Sequence, residues 1–243
     1  IYITSMNSIK NFLVLGDLRK GLDFVQWKLD PQTDAKTLRR LSRSPPSSRM
    51  AVLVCDFIVF QKQLGMVALD KTGTLHLLQY SAHSDGREGD ALLRSRASFS
   101  LGAVCRAALR VQLELSTVAL LLATAAGGTH CLRPVEEQVY RTLATLCGLL
   151  ATSLPFRCGL NPRAFRSHQP ATPVFVAPRK NIEDATLLRD FLFLSLPIQA
   201  AIAERMQLPL EDLRQIVAPS ACCQITALTP TRPRGATAAI KDG

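Results

Sequence analysis

Short apolar runs broken by polar turns fill the first half of the chain, and the two clearest are copies of one another. LVLGDLRKGLDFVQW and MVALDKTGTLHLLQY align with Asp17 on Asp70, Leu22 on Leu75 and Gln26-Trp27 on Gln79-Tyr80, all at one offset of 53 residues. Each copy is an apolar strand, a polar turn and a second strand ending in Gln-aromatic. The turns GDLRKG and DKTG carry Gly and Asp, which tolerate the left-handed conformations that hairpins need. A weaker third copy, LLLATAAGGTHCL, sets Gly128-Thr129 on Gly73-Thr74 at an offset of 55.

Two further strand candidates follow each of the first two hairpins: TLRRLSR and MAVLVCDF, then ALLRSRASF and AVCRAALRV. A hairpin plus two strands gives four strands per period of roughly fifty residues, the signature of a β-propeller blade. Blades bury their faces against neighbours, so the two and a half seen here imply more upstream or in trans. An antiparallel sandwich with coincidental repeats is the other architecture this pattern allows.

From Pro134 the period becomes helical. Val135, Val139, Leu143, Leu146 and Leu150 fall on one stripe of PVEEQVYRTLATLCGLLATSL. Pro134 suits a first turn, Glu136 and Glu137 suit the positive end of the dipole, and Pro155 bounds the far end. Three shorter helices follow: NIEDATLLRDFLFLS with Asn181 as cap, LPIQAAIAERMQ opening near Pro197, and LPLEDLRQIV opening at Pro209. The last two resemble a helix-turn-helix, but Glu211 and Asp212 stand where base-reading residues would lie and would repel phosphates. Packing by Ile202, Met206, Leu208, Leu213 and Ile216 explains the pair better. The tail TPTRPRGATAAIKDG lacks apolar periodicity and reads as disordered.

Charge narrows the partners without choosing one. The chain carries +10, with 29 Lys and Arg against 19 Asp and Glu among 243 residues. That balance favours acidic partners: nucleic acid, acidic protein faces or anionic membrane. The sharpest feature is KTLRRLSRSPPSSR, with no acidic residue from Ala35 to Cys55. Lys36, Arg39, Arg40, Arg43 and Arg49 form a candidate contact face for phosphates or for an acidic partner. The same run also reads as a charged outer strand that guards a sheet edge. No aromatic interleaves with it, so base stacking has little support.

Catalytic and metal chemistry find no foothold. His76, His83, His130 and His168 are scattered, with no HxxxH or HxH pair. Cys55, Cys105, Cys131, Cys147, Cys158, Cys222 and Cys223 show no CxxC spacing and read as reduced thiols of a cytosolic or nuclear protein. No GxSxG, P-loop or GxGxxG occurs, and no nucleophile–base pair stands out, so an enzyme and a cofactor are not expected. The N-terminus lacks a basic n-region and a cleavage site, and it starts at Ile, which reads as a piece of something longer. The longest apolar run, Leu143 to Phe156, is too short to span a bilayer.

The span ATAAGGTHCLRPVEEQVYRTLATLCGLLATSLPFRCGLNPRAFR, Ala123 to Arg166, closely resembles the C-terminal region of the large subunit of the cleavage and polyadenylation specificity factor. The likeness rests on Gly127-Gly128, Glu136-Glu137, Tyr140-Arg141 and the run Gly159 to Arg166. KNFLVLGDLRKGLDFVQWK, FSLGAVCRA and NIEDATLLRDFLFLS extend it more diffusely over residues 7–217. The wider superfamily includes the large subunit of damaged-DNA-binding protein and a propeller subunit of the splicing factor 3b complex. The Asn-Pro-Arg-Ala-Phe-Arg run favours the polyadenylation branch. HCLRPVEE and RSPPSSR depart from the family pattern.

This resemblance implies a non-enzymatic nuclear scaffold in pre-mRNA 3′-end processing. It would hold a WD-repeat subunit and a zinc-finger subunit that read the polyadenylation signal, with direct RNA binding through the basic blade edge as the rival. The expected fold is mostly β with a C-terminal α-helical region. Residues 1–133 would be the last blades of a seven-bladed β-propeller, 134–220 a small helical domain and 221–243 a disordered tail. Asn161 would cap a short turn with Pro162 at its first position. Phe165 would anchor the returning chain, and Arg163 and Arg166 would bond nearby carbonyls or carboxylates.

Overall fold

A computed structural model describes residues 2–29, 35–45, 50–61, 63–81, 93–114, 117–156, 159–162, 181–221 and 225–228. Its first half is a series of antiparallel meanders. The first sheet runs in order through β1 (Ile3–Ile9), β2 (Phe12–Asp17), β3 (Gly21–Leu29) and β4 (Lys36–Arg43). The second runs through β5 (Val52–Phe60), β6 (Gln63–Asp70), β7 (Thr74–Gln79) and β8 (Arg94–Ser100). The third starts with β9 (Cys105–Glu114), β10 (Thr117–Thr124) and β11 (Thr129–Val135). Two short strands extend it: β12 (Ile182–Asp184) pairs antiparallel with β13 (Ile225–Leu228), which lies parallel to β11. One residue bridge, Thr117 with Phe60, joins the second and third sheets.

The alternation of side chains decides how the sheets stack. On the second sheet, Phe57, Met66, Ala68 and Leu78 turn to a core shared with Val14, Leu22 and Phe24 of the first. Ile58, Val67, Leu69, Leu75 and Leu77 turn the other way, to Leu120, Leu122 and Leu132 of the third. The middle sheet is buried on both faces, which explains why AVLVCDFIVF is apolar at every position but Asp56. Two glycines permit close approaches, Gly16 of the first sheet to the second and Gly73 to the connection between β8 and β9. A Cβ on Gly16 would stand 2.8 Å from Val52 Cγ1, and one on Gly73, at φ +78°, would stand 2.7 Å from Ala103 O.

The first strands of the sheets, β1, β5 and β9, lie side by side. Polar bolts join the first two: Thr4 Oγ1 donates to Val52 O (2.7 Å), Asn7 Nδ2 donates to Cys55 O (2.7 Å), and the Cys55 amide donates to Ser5 Oγ (3.2 Å). Three stacked meanders with adjacent first strands form an open, partial β-propeller. The sequence period is one strand out of phase with the sheets, because β5 and β9 each open the next sheet instead of closing the last. The third hairpin is likewise displaced by one residue. Gly127, at φ +82°, is the left-handed residue, and its amide donates to Thr124 O as that of Gly73 does to Asp70 O.

The helical region is α1 (Glu137–Ser153), α2 (Ala185–Leu192), α3 (Leu196–Met206) and α4 (Leu210–Ala221). Leu143, Leu146 and Leu150 of the predicted stripe are buried against Leu187, Leu188, Phe191, Ile202, Leu213 and Val217. Burying Ile202 and Leu213 in this core gives α3 and α4 a packing role. Pro197 lies in the first turn of α3.

Several local expectations shift. Pro134 and Val135 belong to β11, so the sheet runs past residue 133 and Glu136 is the cap position of α1. Asp184, and not Asn181, caps α2, its carboxylate accepting from the Thr186 amide at 3.0 Å. Asn181 is left-handed at φ 63° and its Nδ2 donates to Arg96 O, tying this segment to β8. Within the expected tail, 225–228 form β13, paired parallel with β11 and antiparallel with β12.

Candidate docking surfaces

The basic run forms β4, the outer strand of the first sheet. Lys36, Arg39, Arg40 and Arg43 are all exposed, and Arg49 lies outside the described residues. Among the described residues no strand pairs with the far side of β4. Register with β3 sorts the side chains: Leu29 faces Lys36, Trp27 faces Leu38 and Val25 faces Arg40, while Gln26 faces Arg39. Lys36, Leu38 and Arg40 therefore share one face and Arg39 takes the other. An irregularity between Phe24 and Val25 inserts Leu41 as an extra residue on β4. Beyond it Arg43 stands opposite Asp23, and Arg43 O accepts from the Leu93 amide at the start of β8.

The second sequence-derived set divides at the edge of the described residues. Asn161 Nδ2 donates to Ala151 O at 2.9 Å, so the observed bond caps the end of α1, and Pro162 is buried. Arg163, Phe165 and Arg166 lie outside the described residues.

A third surface emerges in three dimensions. Phe156, Phe193, Leu196 and Ile198 are exposed beside one another in sequence or across a cavity of about 290 Å³ lined by Leu154, Pro155, Phe156, Asp190, Phe193 and Leu194. The signal in the sequence was FLFLSLPI, which holds more apolar residues than one buried helical stripe can use. Beneath it Gln199, almost fully buried, locks the turn. Its Nε2 donates to Leu192 O and Leu194 O, and its Oε1 accepts from Nε and a terminal nitrogen of Arg214 at 3.0 and 2.8 Å.

Titratable groups are spent on structure. Asp17 accepts from the amides of Tyr2, Arg19 and Lys20. Asp70 accepts from the amides of Thr72 and Thr74 and from Thr72 Oγ1, and its Oδ2 lies 3.0 Å from His76 Nε2. Burial works to raise both carboxyls, but these bonds outweigh it and hold both below the usual value of 3.8. Asp56 goes the other way: burial raises it, and the Phe57 amide and Arg110 offset only part. Among the described residues no three His, Cys, Asp or Glu side chains gather in a way that would hold a metal ion. No helix among them is long and apolar enough to cross a membrane.

The family model described as CPSF A subunit region matches residues 1–193, which span all three meanders, α1, α2 and the β4 strip. The chain belongs to that family. Its CPSF relatives include the probable cleavage and polyadenylation specificity factor subunit 1 of Oryza sativa subsp. japonica, 29% identical over 216 residues. The Arabidopsis thaliana subunit 1 is 27% identical over 212 residues, and each of these two alignments covers 85% of this chain. Protein cft1 of Neurospora crassa is 30% identical over 215 residues, 79% of this chain. The chain spans 14% of the length of each of these relatives.

Proposed function

We propose that this chain is a non-enzymatic scaffold segment of the nuclear machinery that cleaves and polyadenylates pre-mRNA. One observation carries the reading: the CPSF family match over residues 1–193. Its work is to hold other subunits, a WD-repeat and a zinc-finger protein among them. The exposed strand β4 and the apolar patch at Phe156 and Phe193 support a binding role, since such surfaces are what a scaffold offers. The buried carboxylates Asp17, Asp56 and Asp70 bond within the fold and so support it from the other side.

Affinity purification of the tagged chain from nuclear extract tests this reading. Polyadenylation-factor subunits are expected to co-purify after nuclease treatment and to stay bound as salt is raised. Recovery only with intact RNA, with affinity falling steeply with salt at about 0.7 in log–log slope per phosphate contact, contradicts it and favours the RNA rival.

A further inference from the structure

From the outer edge of β4, with which no second strand pairs among the described residues, we infer a second kind of docking: an extended acidic segment of a partner protein adds to the first sheet as a further strand. The six consecutive residues Ala35 to Arg40 are exposed, and among the described residues β3 is the only strand paired with β4. Unpaired strand edges recruit extended chains through backbone hydrogen bonds, with alternate side chains giving specificity.

Charge selects the occupant. A second copy of β4 would set Lys36 and Arg40 beside like charges, which disfavours self-pairing. An acidic strand meets them with opposite charge. Leu38 lies between them on the same face and is 70% exposed, beside Trp27 on β3. A phosphodiester backbone gains little from that leucine. A strand with an apolar residue flanked by acids at the second position on either side complements all three side chains. A sheet stacked on this face would leave the edge itself open, so strand addition is compatible with further blades.

The proposal rests on the scaffold reading only in taking protein as the ligand. The probe is a fluorescein-labelled synthetic peptide with glutamate, leucine and glutamate at alternate positions between threonines, titrated into the full chain. Saturable binding with new hydrogen-exchange protection on β4 amides is expected. Leu38→Ser and Arg40→Glu should each weaken it at least about tenfold, and a proline at the peptide's centre should abolish it. Either of these results overturns it: no peptide binding, whether or not an oligouridine RNA binds instead, or equal binding of the proline peptide. Neither alters which subunits co-purify from extract, so the two readings fail separately.

Discussion

Arg110 Nε lies 3.1 Å from Asp56 Oδ1, and a terminal nitrogen of the same guanidinium donates to Ser8 O at 2.9 Å. One side chain on β9 thus grips β5 and β1, so the first strands of all three sheets converge on it. Asp56 is buried while Arg110 is 32% exposed. Arg110→Met keeps the stem but strands the carboxylate. The expected loss is about 2–3 kcal/mol, below the range for a fully buried pair because solvent reaches Arg110.

The sign with pH follows from Asp56. Its folded pKa is raised, so the ionised form costs stability above that value and protonation relieves the cost. Without the guanidinium the carboxyl rises further. The gap between wild type and Arg110→Met should narrow as pH falls from neutral, read from urea midpoints. A constant gap would place the Arg110 contribution in packing alone.

The hairpin carboxylates behave oppositely. Asp17 and Asp70 are held below 3.8, so their contribution is complete above that value and is lost as pH falls through their folded values. Asp70→Ala should cost about 1–3 kcal/mol at neutral pH and remove part of the acid-induced decline in unfolding free energy. Asp70→Asn, which keeps an acceptor for the Thr72 and Thr74 amides, should cost less.

These hairpins were the most legible part of the sequence because their chemistry is local: Asp17 and Asp70 bond amides two to four residues on. The phase of the sheets was not legible. β5 reads as an apolar strand whichever hairpin it joins, and its tight turn into β6 uses Gln61 at φ 44° where glycine would have announced a hairpin. β12 and β13 were missed because strands this short are made by non-local pairing. The basic strip was legible as charge, but its placement on an open edge with Leu38 between two cations needed the register of β3 against β4.

Cys55 tests the first interface chemically. Burial, reinforced by Asp56, pushes its thiol up to about 11 despite a bond with Ser5. Iodoacetamide at pH about 8 should leave it unmodified in the native chain and alkylate it in urea, followed by mass spectrometry, since the thiolate is the nucleophile. Rapid native labelling would mean that β1 does not cover β5.

Gln199 tests the helical region. Gln199→Leu leaves the Leu192 and Leu194 carbonyls without their shared donor and leaves Arg214 with only its longer bond to Glu211 Oε1. A loss of about 1–3 kcal/mol is expected, together with loosened hydrogen exchange at the α2–α3 turn. Unchanged stability would mean that water replaces the carboxamide.

The stacking of the sheets, which makes the fold a partial propeller, is tested most directly by nuclear Overhauser contacts in the methyl-labelled chain. Gly16 Hα should show a strong cross-peak to a Val52 methyl, and the methyls of Leu75 or Leu77 should show cross-peaks to those of Leu120, Leu122 or Leu132, reporting the first and second interfaces separately. Absence of either cross-peak, in a chain whose strand pairings are intact, would contradict the propeller arrangement.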